Sequence, residues 1–307
     1  MSPWSENKKD WKRANMFSCF KGKKDETVLL RNGSRLLEKS IALNNGRVIV
    51  KKYYWASDME DPINDIVFAS EMSVHKNVLK LLGCCLESKI PILVFECAQK
   101  GILKDYFYKT DSASLLWQIR LRIAVDVASV ISYLHSAFPR PIVHRDITLS
   151  NILLDEDYIA KVTGFSLSMS IPEGKTHIED EVVGTPGYLA PAYFKTLMFN
   201  EKIDVYSFGV LLLVLLTGQQ PILHSPTTTA RYSLVNFVKE KIEDERFDEI
   251  IDPVILEEGP WPEKERQLEI FLTLAMQCTH ENEEDRPEIT DVAKQLRHIY
   301  HSLISNC

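Results

Sequence analysis

The chain has no apolar run near the roughly 18 residues that a membrane span needs. Its greasiest stretch, Phe208 to Leu216, is far shorter and is interrupted by Gly209, which fits a buried helix. The start, Met1-Ser2-Pro3-Trp4, runs into charged residues, so no secretory signal is expected, and Ser at position 2 excludes a myristoylation signal. Six cysteines (Cys19, Cys84, Cys85, Cys97, Cys278 and Cys307) contain no C-x-x-C pair, which excludes the usual zinc and redox motifs. A reduced, intracellular protein with buried thiols is expected, and no metal site. There is no internal repeat and no low-complexity tract.

Charge is uneven. The chain carries a net charge of −7. Residues 1–26 hold seven lysines and arginines against four acids, so a net −10 falls on the remainder. An acidic body argues against nucleic-acid binding as the main task. The basic head interleaves Trp11, Phe17 and Phe20 with lysines. Two readings stay open for it: a solvated tail, or peripheral contact with an acidic membrane surface or partner.

Periodicity divides the rest. Leu36 to Leu43 has helical spacing, and Asn44-Asn45-Gly46 signals a turn. Arg47 to Tyr54 is β-branched and aromatic and predicts a strand. Asp58 to Met72 predicts a helix; Leu79 to Leu86 and Ile90 to Glu96 predict strands. Beyond Gly101 the helical period dominates, over Leu115–His135, Lys202–Leu216, Leu234–Glu243, Gln267–His280 and Ile289–Leu303, with a loop from Pro221 to Thr229. A β-rich start before a helical bulk predicts an α+β chain of two lobes, joined near Glu96 to Gly101.

Several spaced motifs carry chemistry. Val143-His144-Arg145-Asp146-Ile147-Thr148-Leu149-Ser150-Asn151 precedes Thr163-Gly164-Phe165-Ser166, then Gly184-Thr185-Pro186-Gly187-Tyr188-Leu189-Ala190-Pro191-Ala192, Asp204-Val205-Tyr206-Ser207-Phe208-Gly209 and Asp285-Arg286-Pro287. In this order they resemble the protein kinase fold from about Val48 to Ser302. The phrase Asn77 to Glu87 (NVLKLLGCCLE) makes the chain similar to plant receptor-like cytoplasmic kinases. Asn32-Gly33-Ser34, Asn64-Asp65-Ile66-Val67 and Ile171-Pro172-Glu173-Gly174-Lys175 resemble the ZED-related pseudokinases, adaptors of a nucleotide-binding leucine-rich-repeat immune receptor.

The resemblance implies a bilobal kinase-like fold: a basic tail over 1–30, a small β-rich lobe over 31–96 and a larger helical lobe over 97–307. It also sets which residues ought to act. Lys51, with Lys52 beside it, stands where the phosphate-pairing strand lysine belongs. Asp65 takes the place of its helix Glu, one methylene shorter. Asp146 would be the base and Asn151 a metal ligand. The Mg²⁺-binding Asp is Gly164, and Thr148 replaces a lysine that steadies the γ-phosphate. Gly-x-Gly-x-x-Gly is missing upstream of Lys51, where only Gly33 and Gly46 occur, so the first lobe reads as truncated. His144, Arg145 and Asp204 are then expected to brace the loop as architecture. Arg286, deprived of its usual Glu by Ala192, is expected to find another acid, Glu283 or Glu284, or water.

The resemblance and the altered residues together imply a catalytically dead adaptor in plant innate immunity, with no cofactor and at most weak ATP binding. Its implied partners are the leucine-rich-repeat domain of an immune receptor and either bacterial effectors or effector-modified receptor-like cytoplasmic kinases. The implied location is the cytoplasm, with the plasma membrane as a peripheral site. A weak Ser/Thr kinase and an ATP-binding switch stay open as alternatives. The activation segment, with Ser166, Ser168, Thr176, His177 and Thr185, is expected to be the modifiable, partner-reading surface.

Overall fold

The computed structural model describes residues 27–32, 36–43, 46–53, 61–87, 91–109, 114–224 and 231–305. The predicted basic head, Cys19 and Cys307 lie outside them. The chain divides into two compact units, Met1–Pro62 with Lys80–Cys97, and Ile63–Leu79 with Ala98–Cys307.

The first unit is an antiparallel sheet of five strands, β1 (Thr27–Asn32), β2 (Leu36–Leu43), β3 (Gly46–Tyr53), β4 (Leu81–Cys85) and β5 (Ile92–Glu96), in the order β1-β2-β3-β5-β4. Two expectations change here. Leu36–Leu43 is a strand, not a helix: all eight of its residues pair with β3, from Leu36 opposite Tyr53 to Leu43 opposite Gly46. Thr27 to Leu30, assigned to the tail, belong to β1. The sheet therefore keeps five strands although the glycine-rich pattern is missing. Only residues 33–35 separate β1 from β2, and they include one glycine. Lys51 sits in β3, opposite Leu93 of β5. It is buried, with its ammonium 5.0 Å over the Tyr53 ring.

The second unit is mostly helical. Its helices are α1 (Pro62–Glu71), α2 (Leu103–Tyr108), α3 (Trp117–Ser136), α4 (Pro191–Thr196), α5 (Lys202–Thr217), α6 (Leu234–Glu243), α7 (Pro253–Glu257), α8 (Lys264–Cys278) and α9 (Ile289–Ser305). Every residue of α5 from Ile203 to Thr217 is buried. That explains why it is apolar all round: it is the axis of a core rather than an amphipathic surface helix. Among the described residues, no helix is long and apolar enough to cross a membrane. Gly209 lets α8 approach: a Cβ there would lie 2.7 Å from both Cys278 Cβ and Thr279 Cγ2. Cys278 is buried there, and burial pushes its thiol pKa up to about 12.

Short strands frame the loops. β6 (Gly101–Ile102), β8 (Ile152–Leu154) and β9 (Ala160–Val162) form one sheet, and β7 (Ile142–Val143) pairs with β10 (Met169–Ser170). β11 (Ile178–Glu179) pairs with β12 (Met198–Phe199), and β13 (Ile222–His224) with β14 (Arg231–Ser233). The predicted Pro221–Thr229 loop thus begins as a hairpin strand; its residues 225–229 fall outside the described residues.

Candidate functional site

Asp204, in the first turn of α5, organises the loop between β7 and β8. It is fully buried and accepts the backbone N–H of His144 (2.7 Å) and of Arg145 (2.9 Å), while His135 Nε2 lies 3.0 Å from it. These bonds hold Arg145 at φ +69°, a left-handed conformation that a non-glycine residue adopts only under such restraint. His144 is buried beside Phe165. Its Nδ1 accepts the Asp146 N–H (3.2 Å) and its Nε2 lies 3.2 Å from the Thr163 carbonyl. Burial lowers its pKa, which matches a neutral ring with one accepting and one donating nitrogen. The bracing set read from the sequence is thereby brought together.

The residues that would do chemistry close on one another. Asn151 Nδ2 donates to the Asp146 carbonyl (2.8 Å) and to its carboxylate Oδ2 (2.5 Å). Thr185 Oγ1 donates to the other carboxylate oxygen at 2.6 Å. Gly164, at φ +88°, comes so near that a Cβ would lie 2.7 Å from Asn151 Cγ and Oδ1. The Asn151 amide thus fills space that a side chain at 164 would need. Thr148 is buried and its hydroxyl has no hydrogen-bond partner among the described residues. On α1, buried Asp65 accepts the Phe165 N–H at 2.8 Å, and Asn64 Nδ2 donates to the Ser168 carbonyl at 3.3 Å. Asp65 therefore ties α1 to the segment after Gly164.

A Mg²⁺-nucleotide does not fit this donor set. Mg²⁺ demands several hard oxygen ligands in near-octahedral order, usually one or two carboxylates with phosphates and water. Of the two residues that would hold the ion, Gly164 supplies no carboxylate and Asn151 supplies one neutral amide oxygen, while Asp146 is the base position and not a metal ligand. No group of three or more His, Cys, Asp or Glu side chains placed to hold a metal ion occurs among the described residues.

The activation segment differs from expectation at four positions. Ser166 and Ser168 are buried, Ser168 donating to the His144 carbonyl at 3.3 Å, so neither is open to a partner. Thr185 is committed to Asp146. Thr176 is exposed, its hydroxyl 3.0 Å from His177 Nδ1. His177 does not stand free, because its Nε2 lies 2.7 Å from Glu283 Oε1 and 3.1 Å from Asn200 Nδ2. Arg145 anchors the segment further. Its buried guanidinium meets Asp180 at 2.8 Å, donates to Tyr193 Oη at 2.7 Å and stacks 4.4 Å over Phe199. None of these partners is visible in sequence, since each depends on tertiary distance.

Arg286 needs no replacement acid. It is buried and donates to three carbonyls, His280 (2.8 Å), Glu281 (3.0 Å) and Lys202 (3.1 Å), with the Tyr206 ring 5.1 Å away. Burial lowers its pKa, with Glu283 acting in the opposite direction through charge alone.

Comparison with known proteins fits this geometry. The sequence profile described as protein tyrosine and serine/threonine kinase matches residues 36–296. The chain belongs to that family. It is 40% identical over 249 residues to "Serine/threonine-protein kinase ZRK1" of Arabidopsis thaliana, covering 80% of this chain and 70% of that protein. It is 40% identical over 260 residues to "Non-functional pseudokinase ZED1" of the same organism, covering 82% and 77%. "Wall-associated receptor kinase 4" of Arabidopsis thaliana is 38% identical over 278 residues, which is 90% of this chain but 37% of that protein. Kinases and a pseudokinase thus stand at similar identity. The names do not separate the two classes for this member of the family; its site residues bear on that choice.

Proposed function

We propose that this chain is a catalytically inactive pseudokinase that serves as an adaptor in plant innate immunity. It links a nucleotide-binding leucine-rich-repeat receptor to bacterial effectors or to effector-modified receptor-like cytoplasmic kinases. It works in the cytoplasm, with residues 1–26 as a peripheral contact to the plasma membrane. The observation that carries the inactive half is Gly164. Phosphoryl transfer rests on positioning and charge neutralisation. Glycine supplies no charge where the Mg²⁺-binding Asp belongs, and the Asn151 side chain occupies the space that a carboxylate at 164 would need. Similarity to ZED1, whose name calls it non-functional, supports the same reading. The adaptor half rests on the resemblance in Asn64–Val67 and Ile171–Lys175, and on an activation segment fixed by architecture rather than by nucleotide.

The test pairs two measurements on the purified chain. A leucine-rich-repeat domain of a plant immune receptor should co-purify with it whether or not Mg-ATP is present. Millimolar Mg-ATP should barely move the melting temperature, whereas a ligand at about 100 times its Kd would add roughly 2.7 kcal/mol. A large Mg-dependent shift that disappears in Lys51→Ala would favour a nucleotide switch instead.

A further inference from the structure

In the second unit a groove lies away from the kinase motifs, between α6 and α8. Its volume is about 810 Å³. Ile242, Phe247, Leu272 and Met276 give it an apolar lining, and Ile242 is 42% exposed. Such a volume suits a few apolar side chains. The polar side chains around it are exposed or half-exposed, so no buried donor or acceptor is aimed inward to recognise a polar small molecule. Helices rather than a free strand edge line it, which suits a helix laid in a groove and not an added strand. Met276 adds an adaptable thioether of the kind that accepts varied apolar anchors.

Charge selects the kind of helix. Glu245 and Glu269 stand exposed on the rim and take part in no ion pair among the described residues. The nearby cations are engaged within the chain. Lys239 meets Glu281 (3.7 Å), Lys241 meets Glu249 (2.5 Å), and Arg246 meets Asp244 and Glu249. His280 lies 3.4 Å from Asp285. The groove therefore offers apolar contact under two uncommitted negative charges. Opposite-sign patches set specificity and on-rate across such contacts.

We propose that the α6–α8 groove docks a basic amphipathic helix of a partner protein, its apolar face over Ile242, Phe247, Leu272 and Met276 and its lysines or arginines against Glu245 and Glu269. This deepens the adaptor reading and rests on it. The probe is a fluorescein-labelled 18-residue helical peptide, about that long for five turns, with leucines on one face and lysines flanking them; its twin carries glutamates in place of the lysines. Binding to the full chain is measured by anisotropy at low and high salt. The lysine peptide should bind at least about tenfold more tightly than its twin and weaken with salt. Ile242→Asp should weaken it by about tenfold or more with the melting temperature unchanged, because Ile242 is exposed. Glu245→Lys with Glu269→Lys should reverse the preference between the two peptides. Equal binding of the lysine peptide to the native and charge-reversed chains would overturn the proposal. So would a concentration-dependent dimer lost in Ile242→Asp, which would make the groove a self-interface. A phosphotransfer assay on the same samples separates the failures: no docking and no transfer sinks this inference and leaves the pseudokinase reading standing, while robust transfer sinks both.

Discussion

Removal of the Asp204 carboxylate should destabilise the fold although no catalysis is at stake. In Asp204→Ala two backbone N–H groups, those of His144 and Arg145, lose acceptors at 2.7 and 2.9 Å in a fully buried site. A buried donor left unsatisfied costs about 1–3 kcal/mol. Two of them, together with release of Arg145 from its left-handed backbone, give a loss of about 3 kcal/mol or more. At roughly 2–4 °C per kcal/mol for a large domain, the melting temperature should fall by about 6–12 °C. Asp204→Asn keeps one acceptor oxygen and should recover about half of that. Urea unfolding monitored by circular dichroism gives the free energy independently of the thermal scan. A change within about 1 kcal/mol for Asp204→Ala would refute the reasoning, since it would mean that the two N–H groups find other partners.

The same geometry gives two more expected outcomes. Gly164→Asp should lower stability by about 1–2 kcal/mol, because φ is +88° and the new Cβ would lie 2.7 Å from Asn151 Cγ. Adding Asn151→Ala should relieve part of that loss in a double-mutant cycle, and a stabilising Gly164→Asp would contradict the crowding. His144, whose pKa burial lowers, should stay neutral in the folded chain at pH 6, where an unfolded histidine, near 6.5, is mostly protonated. The unfolded state then binds the extra proton, so this residue's contribution to stability is present above about pH 6.5 and declines as the pH falls below it. A ring-proton NMR titration showing His144 charged at pH 6.5 would break that argument.

Local signals are the legible part of the sequence. The order of His144, Arg145, Asp146, Asn151 and Gly164 marks the site, and Asp204 is readable as the acid beneath it. The long helices are readable because their periodicity recurs over many turns. Leu36–Leu43 reads as a helix because its apolar positions suit a helix face, while its strand state comes from pairing with β3 along its whole length. Arg286 looks from sequence as if it needs a carboxylate, yet three carbonyls satisfy it, and carbonyls carry no sequence signature. The same holds for the closure of Asn151 on Asp146 and for the Asp180 contact with Arg145. Each joins residues whose types are plain but whose distances are set by the fold. Ser166 and Ser168 show the converse, since hydroxyl residues in a segment expected to be exposed are buried.

Incubation of the purified chain with Mg²⁺ and radiolabelled ATP, alone and with a general Ser/Thr substrate, measures the central claim most directly. Incorporation should stay at background, and Gly164→Asp should not raise it, because Thr148 still lacks a cation and the glycine-rich pattern is still missing. Incorporation well above background that Asp146→Asn abolishes would contradict the account.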